Sequence, residues 1–250
     1  MIERHTDPVT SRAFSVIELL VSIGVIGVLI AIIVPSLGRA KGSALQAITL
    51  SNLHQTSLTF EQYLETYKET YPWAPEGAWF LISPTGEEES RIQPGYWDLK
   101  IYWVALMHEI APWREYFSTW VDPGLVKAGE LPWRRESIEG AGIPSYLLSD
   151  TFFGDPELWL PGTKASDTLL RAVHASEVLY PASKVMLYDA EQGYLRTSPQ
   201  ADRDPMPMLF TDGHALVKRV SQAARPASIP FKPGTMPLQD TPGGVRGRDY

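Results

Sequence analysis

From Phe14 to Val34 the chain reads FSVIELLVSIGVIGVLIAIIV, 21 residues in which Glu18 is the only ionisable side chain. As a helix, at about 1.5 Å per residue, such a run reaches roughly 30 Å, the thickness of the hydrocarbon layer of a bilayer. A buried helix of a soluble protein would show a polar stripe at every turn, and this run has none. A secretory signal has a shorter apolar core, about 7–15 residues, closed by a small-residue cleavage site. Here Pro35-Ser36-Leu37-Gly38 follows instead. The segment is therefore predicted to span a membrane. Arg4 and Arg12 precede it and Arg39 and Lys41 follow it, so the distribution of basic residues leaves its orientation tied. A carboxylate in hydrocarbon costs about 2.5–3.5 kcal/mol on insertion scales. Glu18, one turn into the span, either reaches back to the headgroups or meets a partner.

The stretch Ala13-Phe14-Ser15-Val16-Ile17-Glu18-Leu19-Leu20 resembles the processing site of type IV prepilins and type II secretion pseudopilins, where a small residue precedes Phe and a Glu lies fifth in the mature chain. Pro35, the 22nd residue counted from Phe14, falls where those proteins carry a helix-kinking proline. Ala13 departs from the usual Gly before the cut. The resemblance implies that a prepilin peptidase cleaves between Ala13 and Phe14 on the cytoplasmic side and that the new amine of Phe14 is methylated. It also implies that Glu18 pairs with the N-terminal amine of a neighbouring subunit, so that neither charge stands alone in an apolar filament core. The partners it implies are the membrane, the peptidase, other pilin-like subunits and their assembly machinery. The place it implies is the inner membrane, single-pass, with the N-terminus cytoplasmic and the head periplasmic. Gly24, Gly27 and Ala31 recur on similar faces and suit close helix approach.

Three later blocks extend the likeness, to prepilin-type H-X9-DG proteins: Ser145 to Ser149, Tyr180 to Asp189, and Leu209-Phe210-Thr211-Asp212-Gly213-His214. The histidine of that motif belongs ten residues before Asp212, where this chain has Asp202. The implied fold is α+β and pilin-like, a long N-terminal helix packed on a small antiparallel sheet with long loops. Its boundaries are a leader at 1–13, a transmembrane helix at 14–34, the soluble half of that helix at 35–67, an extracytoplasmic head at 68–222 and a flexible tail at 223–250.

The residues support the same division. Leu50, Leu53, Ser57, Phe60 and Leu64 are spaced 3, 4, 3 and 4 apart, one apolar stripe that predicts a helix continuing to about Tyr67. Gly38 and Gly42 beside Pro35 make the join a weak point. Lys100 to Leu106, Lys184 to Tyr188 and Met208 to Phe210 read as short strands between turn-rich stretches. Gly86 to Ser90 reads as an exposed acidic loop. From Ala223 to Tyr250, five Pro and four Gly with few apolar residues predict a mobile or extended segment without a core of its own.

The 22 basic and 29 acidic side chains give a net charge of −7, which argues against a nucleic-acid partner. Without cysteine there is no disulfide, no thiol catalysis and no thiolate zinc site. His108-Glu109-Ile110-Ala111-Pro112 begins like a zincin helix, but Pro112 stands where the second His is required. No phosphate-binding Gly-Lys-Ser/Thr loop and no Gly-x-Ser-x-Gly elbow occurs, so neither an enzyme nor a small-molecule substrate is expected. Asp212-Gly213 reads as a tight turn between strands, with Gly213 tolerating positive φ. A second reading of that region is a calcium site at Asp202, Asp204 and Asp212, hard oxygen donors without EF-hand spacing. All eight Trp fall between Trp73 and Trp159. They are either core or a glycan-stacking face on a membrane-anchored head, and exposure separates the two.

Overall fold

A computed structural model describes residues 15–82, 90–124, 144–189 and 205–250. The leader, Ala13, Phe14, Asp202, Asp204 and most of the Gly86 to Ser90 loop lie outside them. The chain divides into two units, 1–43 and 44–250. Helix α1 (Val16–Thr66) runs through both as 51 uninterrupted residues and holds Pro35 inside it. In the first unit none of the described residues is buried, and Val16 to Val34 carry exposed Val, Ile and Leu at nearly every position. This stretch of α1 is long and apolar enough to cross a membrane.

The second unit is α+β. After α1 come β1 (Phe80–Ile82), β2 (Ser90–Ile92), α2 (Leu99–Leu106), α3 (Trp113–Trp120), β3 (Tyr146–Leu148), β4 (Val185–Asp189), β5 (Met206–Phe210) and β6 (Ala215–Lys218). β1 and β2 form a hairpin, and the other four strands make one antiparallel sheet in the order β3-β4-β5-β6. Its register pairs Leu148 with Leu187, Tyr188 with Met208, and Met208 with Leu216, with an irregularity between Val185 and Leu187.

One face of the sheet packs Tyr146, Leu148, Leu187 and Leu209 against Leu53 and Phe60 of α1, Trp103 and Met107 of the α2 region, and Trp120 of α3. The predicted stripe on α1 holds: Leu53, Ser57 and Phe60 are buried, while Leu50 and Leu64 are half-buried. Thr49 and Thr56 share the buried face because their hydroxyls donate to the carbonyls of Leu45 and Asn52, at 3.1 and 2.8 Å. Asn52 reaches across to α3, donating to the Ser118 carbonyl at 3.2 Å.

Two expectations are corrected. Lys100 to Leu106 is not a strand but most of α2. Its run of Ile, Tyr, Trp and Val resembles a buried strand, yet Leu99, Trp103, Val104 and Met107 reach the core at helical spacing. The second correction concerns residues 223–250, which are irregular, with a single 3-10 turn, as an extended segment is, yet bury several side chains in the core of the head. Leu238 joins Val185, Tyr188, Met208 and Phe210 on the sheet's second face. Gln239, Asp240, Thr241 and Asp249 are buried with it.

The physical reason is polar as well as apolar: beside the buried Ile229, Leu238 and Val245 stand buried polar groups. Buried groups of the head need hydrogen-bonding partners, and this segment supplies them. Gln239 Oε1 accepts the Asp150 N–H at 2.6 Å, and its Nε2 donates to the Leu148 carbonyl at 3.3 Å. Lys232 pairs with both Asp150 and Asp240. Burial pushes the Asp150 carboxyl up to about 6 in spite of Lys100 and Lys232 beside it. At the rim, Arg246 meets Glu177 at 3.1 Å. Hydrogen bonds from Arg171 hold the Glu177 carboxyl down at about 2.

Candidate functional site

Two places carry the residues singled out by the sequence. The first is the start of α1. Ser15 Oγ accepts the Glu18 N–H at 3.2 Å, and Glu18 Oε2 accepts the Ser15 N–H at 2.9 Å. This reciprocal pair is a capping box: two of the helix's orphan N–H groups are satisfied by the two side chains. A carboxylate in the first turn also faces the positive end of the helix dipole. Glu18 is thereby held close to the helix axis with one oxygen engaged. Its other oxygen makes no hydrogen bond among the described residues. The Ser15-x-x-Glu18 spacing is itself a helix-start signal legible in the sequence.

Pro35 lies within the helix without ending it. Its ring removes one backbone donor. The next residue, Ser36, donates from Oγ to the carbonyl of Ile32, one turn earlier, at 2.9 Å.

The second place is the Asp212-Gly213 turn, which the structure places as expected between β5 and β6. The Gly213 N–H donates to the Phe210 carbonyl at 3.0 Å and the Phe210 N–H to the His214 carbonyl at 2.9 Å, closing a three-residue loop. Gly213 has φ +85°, the left-handed conformation that such a loop requires at its last position. Asp212 Oδ1 accepts from the His214 N–H at 3.3 Å and also contacts Nδ1 of the His214 ring. That ring stacks on Phe210 with centroids 4.3 Å apart.

Helix α1 grips the turn: His54 Nδ1 is 2.9 Å from the Gly213 carbonyl oxygen. A Cβ at position 213 would lie 3.3 Å from Ser57 Oγ and 3.7 Å from Glu61 Oε1. The turn is a clip holding the β5–β6 hairpin on the helix, and His54, 159 residues away in sequence, is the partner that no local pattern shows. Gly213→Ala is expected to cost about 1–2 kcal/mol from the backbone conformation alone. Urea unfolding of the variant beside wild type checks this, and an unchanged midpoint would refute the clip.

Asp212 is thus engaged by His214, and no group of three His, Cys, Asp or Glu suited to a metal occurs among the described residues. Of the described Trp residues, Trp103, Trp120 and Trp159 are fully buried and Trp73, Trp97 and Trp113 half-buried. Trp79 alone among them is exposed, at 64%. The buried rings meet other indoles edge to face, Trp103 against Trp120 at 5.3 Å and Trp159 against the half-buried Trp97 at 6.5 Å. Comparison of the chain with protein-family models, with curated proteins and with solved structures finds no match.

Proposed function

We propose that the chain is a pilin-like structural subunit, a pseudopilin or type IV pilin homologue. In this reading it is held in the inner membrane by the first part of α1, cut between Ala13 and Phe14 by a prepilin peptidase, and built into a pilus-like filament of a type II secretion or related system. One observation carries the reading. A capped carboxylate, Glu18, opens a single 51-residue helix whose apolar first part is exposed, while its later part forms the core of an α+β head. An exposed apolar helix of this kind needs lipid or copies of itself around it. The register of Ala13, Phe14, Glu18 and Pro35 says which of these it is made for.

In the membrane, lipid covers Val16 to Val34. In the filament, neighbouring helices replace the lipid and the heads coat the outside. Glu18 then meets the amine of a neighbouring Phe14, a pairing that removes two isolated charges from an apolar core. The runner-up, a membrane-anchored glycan-binding head, rests on Trp79, the one exposed Trp among the described residues, where a stacking face would need a row.

The test is the N-terminus of the membrane-associated protein, read by terminal-peptide mass spectrometry with and without a co-expressed prepilin peptidase. The expected result is a peptidase-dependent start at Phe14, carrying a methyl group. A start that stays at Met1 beside an active peptidase removes the proposal and leaves a plain anchored head.

A further inference from the structure

We infer that Lys184 and Asp249 become joined by an intramolecular amide bond, Nζ of the lysine to Cγ of the aspartate, with loss of one water. The two side chains are 0% and 1% exposed, and Nζ lies 3.2 Å from Oδ2. Backbone hydrogen bonds fix their approach. The Asp249 N–H donates to the Ser183 carbonyl at 2.9 Å, and the Asp249 carbonyl accepts the Ala224 N–H at 2.8 Å. Neither partner can drift from the other, the condition under which a slow condensation becomes effectively unimolecular.

The two carboxylate oxygens are held differently, and the difference is the one the reaction needs. Oδ2 accepts the Val185 N–H at 2.8 Å. Oδ1 accepts the hydroxyl of Thr241, whose Oγ1 in turn accepts from Lys184 Nζ at 2.8 Å. Nζ–H, Thr241 O–H and Oδ1 therefore form a relay. A proton shifted along it turns ammonium and carboxylate into amine and carboxylic acid. The amine lone pair then attacks Cγ, and the Val185 N–H stabilises the charge that develops on Oδ2. Nζ releases a second proton through Thr241, and Oδ1 departs with both protons as water. Oδ2 remains as the amide carbonyl oxygen on the same Val185 N–H. No oxidant or cofactor enters.

Burial disfavours the ammonium form of Lys184. Loss of hydration lowers the Lys184 pKa against the opposing pull of Asp249. The bond has a structural place, too. The chain has no cysteine, and this contact is where the irregular C-terminal segment is anchored to β4.

The experiment is mass spectrometry of the purified, denatured full chain and of its tryptic digest. The expected intact mass is lighter by one water than the sequence from its observed N-terminus. The expected digest lacks cleavage after Lys184 and contains peptide 172–196 carrying Asp249-Tyr250 on that lysine. A full mass with cleavage after Lys184 overturns the inference. That reading needs no variant, so a misfolded mutant cannot obscure it. Thr241→Val is expected to lower the linked fraction at a fixed time after synthesis, and an unchanged fraction would overturn the relay.

Discussion

Glu18→Ala is expected to keep the protein out of filaments while its head stays folded. Within one chain the substitution removes only a reciprocal helix cap, worth about 1 kcal/mol. The residue belongs to a unit separate from the one that holds the core. Between chains, on the pilin-like proposal, the stakes differ. An N-terminal amine left alone in an apolar filament core is a buried unpaired charge, a loss of about 3–5 kcal/mol when one partner of such a pair is removed. That penalty recurs at every subunit added. Sheared filaments should therefore lack the variant, while the membrane fraction holds it at the wild-type level. Glu18→Gln separates the two roles. Glutamine can still close the capping box on Ser15 but carries no charge. It should fail to assemble as completely as alanine does, and wild-type assembly of Glu18→Gln would show that the cap matters and the charge does not.

The second large effect belongs to the core. Trp103→Ala is expected to destabilise the head by about 3–5 kcal/mol, against the roughly 5–15 kcal/mol that holds an ordinary domain together. Trp103 is fully buried and touches elements that are distant in sequence. Its ring lies 5.3 Å from Phe60 of α1 and 5.3 Å from Trp120 of α3. Its Nε1 donates to the Tyr146 carbonyl of β3 at 3.0 Å. Truncation leaves a large void where three elements meet and a buried carbonyl without its donor. Urea unfolding of the detergent-solubilised chain, followed by circular dichroism, measures the loss. Trp79→Ala, at an exposed position, is the control and should stay within about 0.5 kcal/mol of wild type. Equal losses at the two positions would mean that the tryptophans of this head do not form its core.

Which parts of this arrangement the sequence announced follows from the range of the interactions involved. α1 was legible because its signal repeats over fourteen turns, first as an unbroken apolar run and then as a stripe through Leu53 and Phe60. The β5–β6 hairpin was legible because Asp212-Gly213 states its own turn geometry. α2 was misread because a run of aromatic and β-branched residues suits a buried helix as well as a strand. Only its neighbours decide, and those are brought in from elsewhere in the chain. Residues 223–250 were misread because composition counts apolar side chains. What holds this segment is a few apolar anchors, Leu238 and Val245 among them, together with Gln239, Thr241 and Asp249 meeting buried polar groups around Asp150 and Lys184. The hold of His54 on Gly213 is equally silent in any local window.

Because the second face of the sheet is closed by Leu238 and its neighbours, β4 and β5 leave the ribosome well before the residues that cover them. At about 5–20 residues per second, synthesis exposes Val185, Met208 and Phe210 for roughly one to ten seconds before Leu238 arrives. The order of emergence thus makes the last stretch of chain the timer of head maturation. On the pilin-like proposal, in which the head crosses the membrane before it folds, such a delay is useful, since strands whose cover has not yet arrived are held less firmly and are easier to keep extended for a translocation channel.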